Sequence, residues 1–170
     1  MEVADILSRR SIRKYTSEPV TAQQLHLALE AAMASPSAMR CDPWRYIVLT
    51  DRAALDDLAG ILPYGKMLLD APAAIIVCGE LSVAHRQELS YLLQDVSASI
   101  ENLLLALHAQ GLGSVWLGIH PNEDRIIAVS KRFNLPEGIL PVSAISIGHP
   151  AEHHEPRTRF DATKVHTNGW

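Results

Sequence analysis

Apolar residues recur at helical spacing at Val3, Ile6 and Leu7, which predicts a short helix leading into an extended stretch through Tyr15. Thr21 and Gln24 stand in capping-box spacing, with Val20 and Leu25 placed as a hydrophobic staple, so a helix is predicted from Thr21. Its expected buried stripe is Leu25, Ala28, Leu29, Ala32 and Met33, and Ser35-Pro36 ends it. Residues 44–50 read as a strand, and Asp51 caps a short helix running through Leu58 and Leu62. The apolar, β-branched run 73–78 predicts a buried strand. From about 90 to 110 the pattern is helical and apolar on most faces, and Gly111 follows as the expected stop. Within it Ser97, Ala98 and Ser99 would let another backbone approach closely. Residues 114–119 predict a strand, 122–133 an amphipathic helix, and 139–147 a further strand. Helices and strands mix throughout, so the class is α/β or α+β, with a sheet covered by helices.

The end of the chain differs. Residues 150–170 are polar, with isolated apolar anchors at Phe160, Val165 and Trp170. They are too few for a core of their own. Such a segment either docks on another surface or frays as chain ends do.

Composition narrows the classes. The chain has 170 residues, 48% of them hydrophobic, which suits one core and a single domain over residues 1–170. A formal net charge of −4 without any basic tract argues against broad nucleic-acid binding. The N-terminal residues lack the pattern of a signal peptide. The most apolar stretch, 96–109, is broken by Ser97, Ser99, Glu101, Asn102 and His108, so no membrane span is expected. Cys41 and Cys78 form no CxxC pair, which suits a reducing compartment, and the cytoplasm is the expected location.

Candidate chemistry concentrates in cations. Arg9, Arg10, Ser11 and Arg13 place three guanidiniums and a hydroxyl within five residues. In extended geometry Arg9, Ser11 and Arg13 point one way and Ile12 the other. Arginine recognises phosphate oxygens bidentately and serine adds a neutral donor. A solvated basic corner is the plain alternative. Arg157 and Arg159 form a second alternating pair, and two such sets in an acidic protein favour one shared anionic ligand. The loop Ser35-Pro36-Ser37-Ala38 enters a strand at Pro43-Trp44, as loops lining flat aromatic ligands do, although helix termination alone also explains Pro36. Gly111, Gly113 and Gly118 do not make a dinucleotide fingerprint, because the spacing is wrong and a strand follows. His149, His153 and His154 lack partner cysteines and a known ligand spacing, so no metal site is expected.

The segments RRSIRKY, SPSAMRCDPWRYIVL, KMLLDAP, GLGSVWLGIHP and RFDATKVHTNGW occur in the order seen in the nitroreductase family, and the chain resembles a short member of it over nearly its whole length. The resemblance implies a mostly antiparallel central sheet covered by helices, an intertwined homodimer, and FMN as cofactor. It implies that Arg9 and Ser11, with Arg10 beside them, hold the flavin phosphate, and that Arg13 sits near the flavin N1–C2=O edge. Pro36, Ser37 and Ala38 match a loop that one subunit lays against the other's flavin. Leu117 and Gly118 match a strand whose backbone meets flavin N5. Lys66 matches a lysine near the flavin carbonyl edge, and Arg157 and Arg159 a basic pair at the phosphate. Residues 150–170 would dock on the partner subunit. Relatives often carry Asn and Gln where this chain has Arg40 and Asp42, positions facing the flavin or substrate channel, and some carry Asn at Pro63. The implied activity is hydride transfer from NAD(P)H through FMN to a nitroaromatic, quinone or similar small acceptor, by a ping-pong course. No side chain of the protein is then needed as the reacting group. A flavin-binding sensor or carrier without turnover, a dehalogenase-type activity on the same fold, and a plain protein-interaction domain are the competing readings.

Overall fold

In the computed structural model, which describes residues 2–170, the elements run α1 (Val3–Ser8), α2 (Ala22–Met33), β1 (Trp44–Leu49), α3 (Arg52–Ile61), β2 (Ala73–Glu80), α4 (Leu89–Ala109), β3 (Gly113–Gly118), α5 (Glu123–Arg132) and β4 (Ile139–Gly148). The four strands form one antiparallel sheet in the order β1-β2-β4-β3. The two central strands, β2 and β4, are buried almost throughout, which explains their continuous apolar runs. Helices α2 and α4 cover one face, where Leu25, Ala28, Ile100 and Leu103 pack on Ile75, Val77 and Ile145. Helices α3 and α5 cover the other, where Leu55, Leu58 and Val129 meet Ile76, Val115 and Ala144.

Local chemistry sets the boundaries. The amide of Gln24 donates to Oγ1 of Thr21 at 3.2 Å, and the Gln24 side chain accepts from the Thr21 amide at 2.9 Å. Asp51 and Asn122 cap α3 and α5 by accepting from the amides of Ala54 and Arg125. After α4, Gly111 takes φ +75°, a left-handed turn that glycine enters without strain. Its amide donates to the carbonyl of His108 and that of Leu112 to Leu107, closing the helix as a Schellman motif. Pro141, which has no N–H for the ladder, sits at a bulge where the β2–β4 register shifts between Val77 and Cys78.

One expected core position is corrected. Met33 is half-exposed, at 52%, rather than part of the buried stripe of α2. On a helix turning about 100° per residue, Ala32 falls between Ala28 and Leu25 in the middle of the buried stripe, and Met33 lies past the partly buried Leu29 on its flank.

Beyond β3 the N-terminal segment lies against the sheet edge. Ile12 N–H donates to the Ser114 carbonyl at 3.0 Å, and Ile12 inserts its buried side chain over Gly113. A methyl group at residue 113 would stand 2.7 Å from Ile12 Cγ2. Gly113→Ala should therefore destabilise the fold by about 1–3 kcal/mol, the range of overpacking, and displace the segment carrying Arg9 to Arg13. A thermal melt checks it. No loss of stability would mean that this contact yields freely.

Candidate functional site

The site begins with a ribbon formed by the two ends of the chain. Thr16 N–H donates to the His149 carbonyl and Ala151 N–H to the Lys14 carbonyl, each at 2.9 Å. Farther along, the Arg10 guanidinium donates to the Glu155 carbonyl, and Arg157 N–H to the Leu7 carbonyl at 3.3 Å. Residues 149–157 thus run antiparallel to residues 7–16 of the same chain. Tyr15 braces the ribbon on the sheet: its hydroxyl donates to the Ile12 carbonyl at 2.8 Å, and burial pushes its pKa up to about 12.

This pairing brings both arginine sets together. Arg9, Arg10, Ser11, Arg157 and Arg159 line one cleft over an apolar floor of Ile6 and Leu7. No carboxylate lines it. Arg9 pairs with Glu101 of α4, whose carboxylate lies 3.5 Å from Arg9 Nε. A guanidinium has five N–H donors, so that contact leaves most of Arg9 available. Four cations and a hydroxyl converging in a net acidic chain make a site suited to a dianion.

Arg13 stands at the junction of two further clefts. One joins it to Lys14, Lys66, Glu152 and His154. The other joins it to Pro63, Tyr64, Trp116, Leu117, Gly118 and Arg125 along the end of β3. Arg125 donates to the Gly118 carbonyl at 2.9 Å and so fixes the direction of that peptide. Sequence reasoning missed Arg125, Tyr64 and Glu152 as neighbours of the site. Nothing in their spacing marks them, because fold-level contacts alone bring them there.

The loop of Pro36, Ser37, Ala38 and Arg40 is not brought to these clefts within one chain. It packs beside the first half of α4, where Ala38 N–H donates to Oδ1 of buried Asp95 at 2.9 Å. The ribbon side meets α4 at His108, 2.9 Å from Ser8 Oγ. Asp95 and His108 are 13 positions apart on one helix, about 20 Å at about 1.5 Å per residue. The backbone of this loop is unusual. Met39, Arg40 and Asp42 all have positive φ, at 55°, 58° and 49°. Such conformations in non-glycine residues cost about 1–3 kcal/mol each and gather at functional sites. Ser37 and Asp42 hold the turn reciprocally: Ser37 Oγ donates to Asp42 Oδ1 at 2.5 Å and accepts from the Asp42 amide at 3.1 Å.

Other candidate chemistry is weak. Cys78 is buried, and burial pushes its thiol up to about 12, so it is no nucleophile at neutral pH. His149, His153 and His154 each face a different carboxylate, on Glu18, Glu155 and Glu152. No group of three metal-ligating side chains occurs among the described residues. No helix among them is long and apolar enough to cross a membrane. Phe160 and Trp170 are exposed, and Trp170 stacks only on the His166 ring, with centroids 4.3 Å apart, among the described residues.

The sequence profile of the nitroreductase family matches residues 6–63 and 60–149. A candidate NADH dehydrogenase/NAD(P)H nitroreductase of Methanothermobacter thermautotrophicus is 41% identical over 165 residues, covering 97% of this chain and 85% of the relative. The crystal structure of a candidate protein of the same description from Bacteroides thetaiotaomicron is 40% identical. It superposes with a TM-score of 0.92 over 99% of this chain and 97% of that one. A candidate nitroreductase of Desulfovibrio desulfuricans, solved in complex with FMN, is 31% identical, with a TM-score of 0.86 over 99% and 96%.

Proposed function

The chain belongs to the nitroreductase family, and from that premise we propose that it is an FMN-dependent oxidoreductase. It takes hydride from NAD(P)H and reduces a nitroaromatic, quinone or similar small acceptor, as a homodimer. The observation that carries this reading is the cleft in which Arg9, Arg10 and Ser11 meet Arg157 and Arg159. The donor set fits FMN: one terminal phosphate dianion meets guanidiniums and a hydroxyl, and no dinucleotide fingerprint provides for an adenine half.

FMN, when bound, would supply the two-electron redox chemistry between the nicotinamide donor and the acceptor. The protein's own part is binding and electrostatics. Arg9, Ser11, Arg157 and Arg159 anchor the phosphate. Arg13 and Lys66, which line one cleft, would present two fixed cations to the isoalloxazine and stabilise negative charge there. The Leu117–Gly118 backbone, with the Gly118 carbonyl held by Arg125, would line the flavin ring. The clamped loop of Pro36, Ser37, Ala38 and Arg40 serves the partner's site across a two-fold axis. That role gives a reason for its distance from the cations of its own chain. Of residues 150–170, expected as a whole to dock on the partner, 150–157 pair instead with residues 7–16 of their own chain, and 158–170, which carry exposed Phe160 and Trp170, are the part that docks on the partner.

Donor and acceptor share one pocket in this reading and must use it in turn. The cofactor released by heating should be FMN, and double-reciprocal plots at several acceptor concentrations should be parallel. Recovered FAD would overturn the assignment of the phosphate cleft. Intersecting lines would overturn the shared pocket.

A further inference from the structure

Two consecutive amides outside the sheet and helices, those of Arg13 and Lys14, converge on one carboxylate oxygen. Arg13 N–H donates to Oε1 of Glu152 at 2.6 Å and Lys14 N–H to the same atom at 3.2 Å. Two backbone N–H groups thus share one acceptor oxygen, and a charged acceptor makes such bonds about twice as strong as a neutral one. The surroundings agree. Arg13, Lys14, Lys66 and His154 share the cleft with Glu152, with Asp70 as the other acid. The Arg13 amide, above all, holds the Glu152 carboxyl below its ordinary value of 4.5. Its contribution to stability is therefore present above that value and fades as pH falls through the depressed one.

The position of this contact matters more than its strength. Glu152 lies in the middle of the strap 149–157, between the pairing of Ala151 with Lys14 and that of Arg157 with Leu7. On the other side it grips the peptide of Arg13, whose side chain borders both the Lys66 cleft and the Leu117–Gly118 cleft. One carboxylate thus links the residues that bring in Arg157 with the residue that stands between the two clefts.

We propose that Glu152 is a positioning residue of the flavin site, a latch that sets Arg13 between its two clefts and registers Arg157 against Arg9 and Ser11. The proposal rests on the FMN reading above. It assigns Glu152 no contact with the flavin. Its effect passes through the backbone of Arg13 and Lys14 and through the strap. A glutamine at 152 keeps an acceptor oxygen and loses the charge. An alanine loses both.

The test uses the full chain as Glu152→Ala and Glu152→Gln, with FMN as the titrant and with amide hydrogen exchange followed on the apo protein. In Glu152→Ala the Kd for FMN should rise at least about tenfold, the scale of lost charge-assisted bonds. In Glu152→Gln it should rise by about two- to fivefold. The amides of Arg13 and Lys14 should exchange at least about tenfold faster in Glu152→Ala, while those of β2 and β4 keep their protection. A purely structural role would loosen the amides and lower the melting temperature without moving FMN affinity, and that result overturns the proposal. So does a Glu152→Ala protein whose Arg13 and Lys14 amides exchange as in the wild type. If Glu152→Ala fails to fold, Glu152→Gln decides, and wild-type affinity in that variant overturns the proposal. A wild-type protein that binds no FMN overturns both the FMN reading and this role, whereas failure of Glu152 alone leaves the FMN reading standing.

Discussion

A chain ending at Pro150 should bind no measurable FMN and should melt well below the full-length protein. Two losses coincide. Arg157 and Arg159 leave the cation cleft, and the strap is stripped from residues 7–16. The strap's bonds include Ala151 to Lys14, Glu152 to two amides, and Arg10 to the Glu155 carbonyl. Neutral bonds contribute about 0.5–1.5 kcal/mol and charge-assisted ones about 1.5–3 kcal/mol. These lie near the surface, so the combined loss is on the order of 2–4 kcal/mol. For a chain of this size that lowers Tm by roughly 5–15 °C. Calorimetry of the truncated protein, with and without FMN, measures both effects. A truncated protein that keeps its FMN and its Tm would show that residues 151–170 play no part in the site.

Replacing Arg9 with Ala should weaken FMN binding by about 1.5–3 kcal/mol, the value of a hydrogen bond to a charged group. The environment of Arg9 sharpens this expectation. Glu101, 3.5 Å from Arg9 Nε, would be left beside the phosphate without its partner. Part of the loss in Arg9→Ala is then repulsion from Glu101, so adding Glu101→Gln to Arg9→Ala should recover some affinity. Glu101→Gln alone should bind FMN at least as tightly as the wild type. Fluorescence titration of FMN into the three variants gives the cycle. Unchanged affinity in Arg9→Ala would place the phosphate elsewhere.

The parts of this fold that were legible in the sequence are those that rest on short-range chemistry. The capping box at Thr21, the caps at Asp51 and Asn122, and the glycine stop at Gly111 each depend on neighbours within a few residues. The strands β2 and β4 announced themselves by apolar runs, since both faces are covered. The two arginine sets were visible as alternating cations. Their meeting in one cleft was an inference from charge, and the ribbon of 7–16 with 149–157 supplies its geometry. What stayed hidden depends on long-range contact. Asp95 sits within the apolar period of α4 and gives no sign that its carboxylate holds the amide of Ala38. Glu152 is one acid in a polar tail until the fold sets it against Arg13 and Lys14. The left-handed backbone at Met39, Arg40 and Asp42 carries no glycine to mark it. Met33 was misplaced because periodicity locates a stripe better than its edge.

FMN held in the arginine-lined clefts should turn over with a nicotinamide donor. Anaerobic mixing of the FMN-loaded protein with NADH or NADPH tests it most directly, followed at the yellow absorption band of oxidised flavin. Rapid bleaching is expected with at least one donor, and return of the colour when a quinone or nitroaromatic is added. A protein that binds FMN and stays yellow with both donors would contradict it and favour a flavin carrier or sensor on the same fold.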